Sequence, residues 1–471
     1  MTKLITLTID GHPVEVPEGT TIFNAAKQLA LEIPHFCYHP KLSIAGNCRL
    51  CQVEVEGARG PVISCRETVR EGMVVRVNSE KAKQVRKDVL EFILINHPLD
   101  CPICDQSGEC KLQDQYFNHS VQPSRMHLPK VHKPKAKPIG PQVMLDDERC
   151  VMCTRCIRFC DEIAGEHQLI MRERGDHSTI DVFPGKQLDH PYSLCTVDIC
   201  PVGALTSSDF RFKKRVWFLN STPSICTGCA TGCNIWMDHH DRIVYRYRPR
   251  DNEAVNQCWL CDPGRMTYKA INAATRALFP MKLVGGAYQR LEWNDALSQV
   301  KEVLKSYKAA DVVGVLSAQA SNEENTAVKR FLEKTFPGLQ LFWTGREAMP
   351  EFADKILRDA DRNPNTHGVQ ALTTKRLDAQ VKAKVLIVLG ELTAQDLRLL
   401  MSIKPEVTIA LADQLPHPEW AHYLLPRATH AEQDGTYVNR KGMEQQAKMA
   451  FPPKGESLSA VAIASKLMEI F

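Results

Sequence analysis

The 471-residue sequence lacks any long hydrophobic run, and the longest candidate, VLIVL at 385–389, is far too short to cross a bilayer. The N-terminus, MTKLITLTID, has no apolar core of the kind that directs secretion. A formal net charge of only +4, without a basic stripe interleaved with aromatic residues, argues against nucleic-acid binding. The sequence contains neither G-x-G-x-x-G nor G-x-x-x-x-G-K-[ST], the patterns that bind dinucleotides and nucleotide phosphates. We therefore expect a soluble chain of about three domains without a dinucleotide site of its own.

Cysteine is absent from the last 210 residues, because all 18 cysteines lie between Cys37 and Cys261. Several are separated by only two residues. In a chain without an export signal, such spacing indicates metal ligation rather than disulfide bonds. The sequence thus predicts a metal-rich N-terminal half and a metal-free C-terminal third.

The first set of candidate ligands follows a strand–turn–helix pattern. Ile5, Leu7 and Ile9 alternate along a strand, Asp10-Gly11 predicts a hairpin turn, and residues 22–29 carry apolar side chains at helical spacing. The pattern C-x10-C-x2-C-x13-C comes next and comprises Cys37, Cys48, Cys51 and Cys65. This order resembles the β-grasp of plant-type ferredoxins and predicts a 2Fe–2S cluster, with Gly46 allowing the backbone to approach it. A zinc knuckle is the alternative.

The second set lies in the stretch HPLDCPICDQSGEC and comprises His97, Cys101, Cys104 and Cys110. An amphipathic helix precedes it and should end near His97, because Pro98 disfavours helical geometry at the preceding residue. Three thiols and an imidazole can hold zinc, or a 4Fe–4S cube in which His replaces one Cys. The spacing by itself leaves both possibilities open.

The third set begins with the bacterial ferredoxin run C-x2-C-x2-C-x3-C at residues 150–160. Its first three cysteines and a downstream Cys-Pro predict one 4Fe–4S cube, held by Cys150, Cys153, Cys156 and Cys200. The fourth cysteine, Cys160, would serve a second cube, whose other ligands should stand near positions 190, 193 and 196. Those positions hold His190, Ser193 and Thr196, so we expect Cys160 to be left without a cluster. Cys195 falls outside the expected spacing.

The fourth set has the spacing C-x2-C-x3-C-x27-C and comprises Cys226, Cys229, Cys233 and Cys261. Two strand-like stretches on either side of Asp241 predict a small β-rich unit that holds a third cube, with Cys258 unassigned. Zinc competes on spacing alone. Because the other cysteine patterns are of ferredoxin type, we interpret His97 as a ligand of an iron–sulfur cube. The predicted cofactors are one 2Fe–2S and three 4Fe–4S clusters.

The remaining parts of the sequence contain no candidate ligands and differ in composition and hydrophobic pattern. A Pro- and Lys-rich stretch at 121–143 predicts an extended connector. Beyond about residue 276, the stretches VVGVLSA, KVLIVLGEL and EVTIALAD alternate with helical patterns, which predicts an α/β region with a parallel sheet.

The combined motifs resemble the family of G-type iron–sulfur subunits of bacterial NADH–quinone oxidoreductase, respiratory complex I. The resemblance covers residues 1 to about 275 and continues at 428–442, where ATHAEQDGTYVNRKG is similar to a late segment of molybdopterin-dependent oxidoreductases. It implies an α+β multidomain protein with six segments: a 2Fe–2S ferredoxin-type domain (1–78), a 4Fe–4S segment with one His and three Cys ligands (79–118), a connector (119–145), a 4Fe–4S ferredoxin-like domain (146–218), a 4Fe–4S domain of the Mo/W bis-MGD type (219–275) and a shortened molybdopterin-oxidoreductase-like α/β domain (276–471).

The resemblance also implies a function. The chain would relay electrons from a flavin- and NADH-binding subunit to a further ferredoxin-like iron–sulfur subunit and on to quinone, without activity of its own. It would belong to a peripheral arm on the cytoplasmic face of the inner membrane, with no membrane span and no nucleic-acid partner. The Cys226 cube is usually off the main path in that family.

The sequence departs from the family at its C-terminus, which is much shorter than usual and has no cysteine to ligate molybdenum. We therefore expect no molybdopterin. The alternatives are the iron–sulfur subunit of an NAD-linked formate dehydrogenase, a hydrogenase diaphorase subunit, and a redox-silent zinc scaffold, which would be colourless.

Overall fold

A computed structural model describes residues 3–416 and 419–471 of the chain. It divides the chain into two units, one ending at Phe218 and the other beginning at Leu219. Within the described residues, no helix combines the length and apolarity needed to cross a membrane.

The first unit begins with a five-stranded sheet of order β2-β1-β5-β3-β4, in which β1 and β5 are parallel. Asp10 and Gly11 both have positive φ, 47° and 83°, as a tight hairpin between β1 and β2 requires. Ile5, Leu7 and Ile9 are buried against α1, so the predicted hairpin and helix are confirmed. The elements are β1 (Leu4–Ile9), β2 (His12–Pro17), α1 (Ile22–Gln28), β3 (Gln52–Val55), β4 (Val62–Ile63) and β5 (Val74–Arg76).

The rest of the first unit consists of short elements joined by ligand-bearing loops. The amphipathic helix α2 ends at Leu94, before Pro98 as expected, and residues 121–136 contain neither helix nor strand. Three strands form a small antiparallel sheet of order β10-β7-β6, and β8 pairs with β9. The elements are α2 (Glu80–Leu94), α3 (Lys111–His119), β6 (Lys137–Pro138), β7 (Val143–Leu145), α4 (Arg155–Phe159), β8 (Leu169–Arg172), β9 (Thr179–Val182), α5 (Cys195–Asp198) and β10 (Leu205–Ser207).

The second unit opens with the predicted β-rich segment. Three antiparallel strands of order β11-β12-β13 are followed by a one-turn helix. The elements are β11 (Asn220–Ile225), β12 (Asn234–His240), β13 (Ile243–Pro249) and α6 (Asp262–Arg265).

The α/β part of the second unit contains a seven-stranded sheet of order β15-β14-β20-β19-β18-β16-β17. The predicted parallel pairing is confirmed for β17, β16, β18, β19 and β20, while the β14–β15 hairpin adds an antiparallel edge that the sequence did not indicate. Strands β16 and β18 are buried along their whole length, as continuous apolar runs in parallel sheets usually are. The elements are β14 (Met281–Val284), β15 (Ala287–Arg290), α7 (Trp293–Leu304), β16 (Val312–Ser317), α8 (Asn322–Thr335), β17 (Gln340–Thr344), α9 (Thr366–Gln370), β18 (Val385–Leu389), α10 (Ala394–Ile403), β19 (Val407–Ala412), β20 (Tyr423–Pro426), β21 (Gly435–Val438), β22 (Glu444–Ala447) and α11 (Ala460–Ile470).

Candidate metal centres

The 18 cysteines form no disulfide, and thirteen of their side chains are buried while only Cys101 is exposed. In residues 3–416 and 419–471, no three His, Cys, Asp or Glu side chains are arranged around the position of a single metal ion. The fit of each predicted site to a cluster therefore rests on the burial of its thiols, their contacts and the backbone beside them.

The site of Cys37, Cys48, Cys51 and Cys65, here called the rhomb site, brings its four thiols into contact. The Cys37 thiol hydrogen-bonds with those of Cys48 and Cys65, and the Cys65 thiol contacts that of Cys51. The bond with Cys48, and then that with Cys65, lowers the pKa of the Cys37 thiol, while the same bond raises the pKa of Cys48. Gly46 adopts φ of 64° in the loop. Four adjoining thiols fit a 2Fe–2S cluster, which needs two thiolates for each iron.

The His97 site, comprising His97, Cys101, Cys104 and Cys110, lines a hollow of about 1100 Å³. Burial lowers the pKa of His97 to about 4, so its imidazole is neutral at physiological pH, the form that ligates metals. Its Nδ1 atom is buried and has no hydrogen-bond partner among the described residues. An imidazole nitrogen left without a partner beside two buried thiols fits a four-ligand cluster site.

Gly203 lies directly against this site. A Cβ atom at this position would stand 2.4 Å from the Cys104 sulfur, so no other residue type fits without displacing that thiol. The backbone at Gly203 is thus part of the wall around the His97 site.

The Cys150 site, comprising Cys150, Cys153, Cys156 and Cys200, surrounds a narrow space that all four cysteines line together with Val202 and Ala204. Burial raises the pKa of the Cys153 thiol to about 11 and that of Cys156 well above its ordinary value. Such thiols ligate iron only as thiolates, so the positive charge of bound iron is what would deprotonate them. Met152 and Thr154 have positive φ, 51° and 58°, as the chain winds around this space.

One short segment separates the Cys150 site from the His97 site. Val202 and Ala204 line the first site, whereas the intervening Gly203 lines the second. Pro201 is bonded to the His97 loop as well, since its carbonyl accepts a hydrogen bond of 2.9 Å from the Lys111 N–H. The two sites are therefore separated by a single stretch of backbone.

The Cys226 site in the second unit, comprising Cys226, Cys229, Cys233 and Cys261, has four buried thiols. A Cβ atom at Gly264 would lie 2.9 Å from the Cys226 sulfur and 3.0 Å from that of Cys261. The Gly228 and Gly264 N–H groups donate to these two sulfurs at 3.4 and 3.3 Å. Backbone N–H groups aimed at thiolate sulfurs are typical of iron–sulfur sites and help to set their potentials.

Later segments of the second unit hold this ligand loop. Arg346 Nη1 donates to the Thr227 carbonyl at 3.2 Å, and Arg362 Nε donates to the Gly228 carbonyl at 3.2 Å. The Arg440 N–H donates to the Ala230 carbonyl at 2.7 Å. The α/β part thus supplies contacts that shape the loop.

Cys160 lies beside the residues that occupy the positions of the missing second cube. Its sulfur is 3.5 Å from His190 Nε2, and Cys160, His190, Ser193 and Thr196 are all buried. His190 Nδ1 accepts a hydrogen bond from the Tyr192 N–H, which places the proton of the neutral ring on Nε2, facing the sulfur. Burial raises the pKa of Cys160 to about 12 and lowers that of His190 to about 4, so this is a contact between neutral groups.

Sequence reasoning did not identify the residues around the ligands, including Gly203, Gly264, Arg155 and Arg158. The three-residue spacing of Arg155 and Arg158 within CTRCIRFC was a visible signal, since it places both side chains on one helix face. The proximity of Gly203 to Cys104 had no sequence signal.

The fold and these four candidate sites define an iron–sulfur protein in which ferredoxin-type domains are followed by a β-rich segment and an α/β region. Family models match it in the same order: a 2Fe–2S iron–sulfur cluster binding domain (2–80), an NADH-ubiquinone oxidoreductase-G iron–sulfur binding region (86–125), an NADH-quinone oxidoreductase subunit 3 ferredoxin-like domain (140–206), a molybdopterin oxidoreductase Fe4S4 domain (219–273) and a molybdopterin oxidoreductase domain (362–470). These matches confirm the predicted fold class and the predicted cluster types.

Curated relatives specify the family. The G-type subunit of NADH-quinone oxidoreductase from Rickettsia bellii is 42% identical over 331 residues, which cover 70% of this chain and 48% of the relative. The mitochondrial NADH dehydrogenase [ubiquinone] iron-sulfur protein 1 of Solanum tuberosum is 42% identical over 332 residues, or 70% of this chain and 45% of the relative. The chain belongs to the family of G-type iron–sulfur subunits of NADH-quinone oxidoreductase, as predicted, and spans about half the length of these relatives.

A solved structure also matches part of the chain. It is the NAD+-reducing [NiFe]-hydrogenase in its H2-reduced state, with 30% sequence identity and a TM-score of 0.41. The match covers 45% of this chain and 91% of that one, and the overlap is too loose to define the fold.

Proposed function

We propose that the chain is the iron–sulfur electron-relay subunit of a proton-pumping NADH:quinone oxidoreductase, receiving electrons from a flavin subunit and passing them toward quinone. One observation carries this proposal: in the first unit, each candidate site adjoins the next. Arg158 bonds to the backbone of both the rhomb and Cys150 sites, and residues 201–204 separate the Cys150 and His97 sites. Clusters held in three adjoining sites could pass electrons from one to the next, which favours an electron relay over separate structural roles.

The proposed ligands are the sixteen residues of the four sites defined above, and the proposed domains keep the boundaries 1–78, 79–118, 119–145, 146–218, 219–275 and 276–471. Bound clusters would supply one-electron transfer. The chain itself would hold them in place, keep most of their ligands out of contact with water, and space them along the relay. The matches to iron–sulfur domain families support this assignment.

The proposed exit from the chain is the surface around the His97 site. Large apolar side chains are exposed there, with Leu99 88% and Phe92 75% accessible, and Phe117 and Leu128 similarly open. Cys101, a proposed ligand, is also exposed. Exposed apolar patches of this kind mark protein interfaces, and we propose a further ferredoxin-like iron–sulfur subunit as the partner. The complex would lie on the cytoplasmic face of the inner membrane as part of a peripheral arm.

The test is a reconstitution of the full chain with iron and sulfide, followed by addition of NADH. Without a flavoprotein, NADH should leave the visible spectrum unchanged; with the flavin subunit added, absorbance should bleach as clusters are reduced. Rapid reduction by NADH in a flavin-free preparation would contradict the proposal, as would clusters that stay oxidised with the flavin subunit present.

A further inference from the structure

Two arginines one turn apart on α4 lie between the rhomb site and the Cys150 site. Arg158 Nη2 donates to the carbonyl oxygens of two proposed ligands, Cys37 at 2.6 Å and Cys153 at 3.2 Å. Its Nη1 atom donates to the Ser43 carbonyl in the rhomb-site loop. A single guanidinium therefore ties the ligand loops of both sites together.

Arg155 makes a second link between the same sites. Its Nη1 atom donates to the Ile199 carbonyl, just before Cys200, at 3.0 Å, and its Nη2 atom donates to the Tyr38 carbonyl, just after Cys37. Because Arg has a planar set of donors, it can hold two carbonyl groups in a defined relative position.

The charge of Arg155 has no acidic partner. In the part of the chain that the structure describes, no carboxylate lies within ion-pairing distance of its guanidinium, and its Nε atom is buried without a hydrogen bond. Burial lowers the pKa of Arg155, and Coulombic interactions with Cys153, Cys200, Cys37 and Cys48 oppose that shift. Arg155 is partly buried. Withdrawing a cation from water without a counterion is costly, whereas clusters ligated by four thiolates are net anionic and would balance the charge from both sides.

We propose that Arg155 and Arg158 form a bridge that fixes the relative position of the rhomb and Cys150 clusters, and that the charge of Arg155 raises both reduction potentials. A reduced cluster is more negative than an oxidised one, so a nearby cation favours the reduced state. Electron tunnelling slows steeply with distance, so a fixed spacing between the two clusters would keep the rate of electron transfer between them constant. The inference rests on the proposed relay and adds how its first two sites are coupled.

The charge is tested by redox titration of the full chain with a chemical reductant, monitored by EPR. Arg155→Gln should lower the midpoint potentials of the rhomb and Cys150 clusters and leave those of the other two unchanged. Arg155→Lys keeps the charge and should keep both potentials near wild type. The role in the potentials is overturned if only one midpoint moves, if neither does, if Lys acts like Gln, or if Arg155→Gln loses iron from either site.

The spacing is tested through the magnetic interaction between the two reduced clusters, read from the relaxation of their EPR signals. Arg158→Gln removes the shared bond to Cys37 and Cys153, and we expect a weaker and more heterogeneous interaction with all iron retained. An unchanged interaction, or loss of iron from either site, would overturn the bridging role. Arg172→Gln is the control, since Arg172 pairs on the surface with Asp181 and should change neither potentials nor relaxation.

Chemical reduction keeps this test separate from the relay itself. If the flavin subunit and NADH fail to reduce the wild-type clusters, the proposed function fails. The potentials and the spin interaction still report on the bridge in that case.

Discussion

At the residue scale, the protein depends on side chains that are absent as much as on those present. Gly203 lies so close to the Cys104 sulfur that a Cβ atom at this position would overlap the sulfur. Gly264 does the same between two thiols of the Cys226 site. Ligand residues thus account for only part of the His97 and Cys226 sites, because the backbone beside their sulfurs must be free of side chains.

Gly203→Val should remove the cube of the His97 site. Two methyl groups in addition to the clashing Cβ would displace Cys104, and the chain should lose about four irons. Iron analysis and EPR of the reduced protein measure the loss. Gly60→Ala is the matched control, because a Cβ there meets no atom within 4 Å, and it should retain full iron content.

His97→Cys should lower the potential of the cluster at the His97 site, because a thiolate adds one negative charge that the neutral imidazole does not carry. His97→Ala should leave one iron without a protein ligand and make that cluster labile in air. A redox titration followed by EPR checks both variants. Unchanged midpoint potential and unchanged stability in both would show that His97 only packs at this position.

At the element scale, the α/β sheet of the second unit has an apolar core of its own. This core joins strands β16, β18 and β19 to helices α7, α8 and α11 through residues such as Leu316, Phe331 and Ile463. The ligand loop of the Cys226 site, by contrast, depends on hydrogen bonds from the later segments that carry Arg346, Arg362 and Arg440. The sheet should therefore be stable without the cluster, whereas the loop should not.

Cys229→Ser should destabilise the ligand loop of the Cys226 site without destabilising the α/β sheet. We expect loss of about four irons and faster protease cleavage near residues 226–233, while the sheet keeps its secondary structure because its apolar core is intact. Limited proteolysis with mass spectrometry and far-UV circular dichroism provide the measurements. Digestion of the sheet as fast as the loop would show that the cluster supports the whole unit.

At the scale of the whole molecule, the four sites imply about 14 irons per chain, with matching sulfide. Metal analysis of anaerobically purified protein should give this value without stoichiometric zinc. A zinc equivalent in any preparation would reassign the site that holds it, and single-site Cys→Ser variants would identify which site that is.

The strands, the parallel sheet and the family could be predicted from the sequence, because each follows from local residue patterns. Alternation in 5–9, the Asp10-Gly11 turn and apolar strand runs depend on neighbouring residues, and each is present in the structure. The β14–β15 edge hairpin was missed, since its strands are short and lack a clear alternating pattern: 281–284 is only partly buried and 287–290 is mostly exposed.

The sequence by itself determined the cluster types, because the spacing of Cys and His residues is characteristic of each type and the family models agree. The sixteen individual ligands stay predictions from that spacing. Only the tertiary structure decided what separates the sites. Gly203 meets Cys104 across about a hundred residues, and Arg158 meets Cys37 across 121. Such contacts arise from the packing of loops distant in sequence, and no local spacing encodes a distance between them.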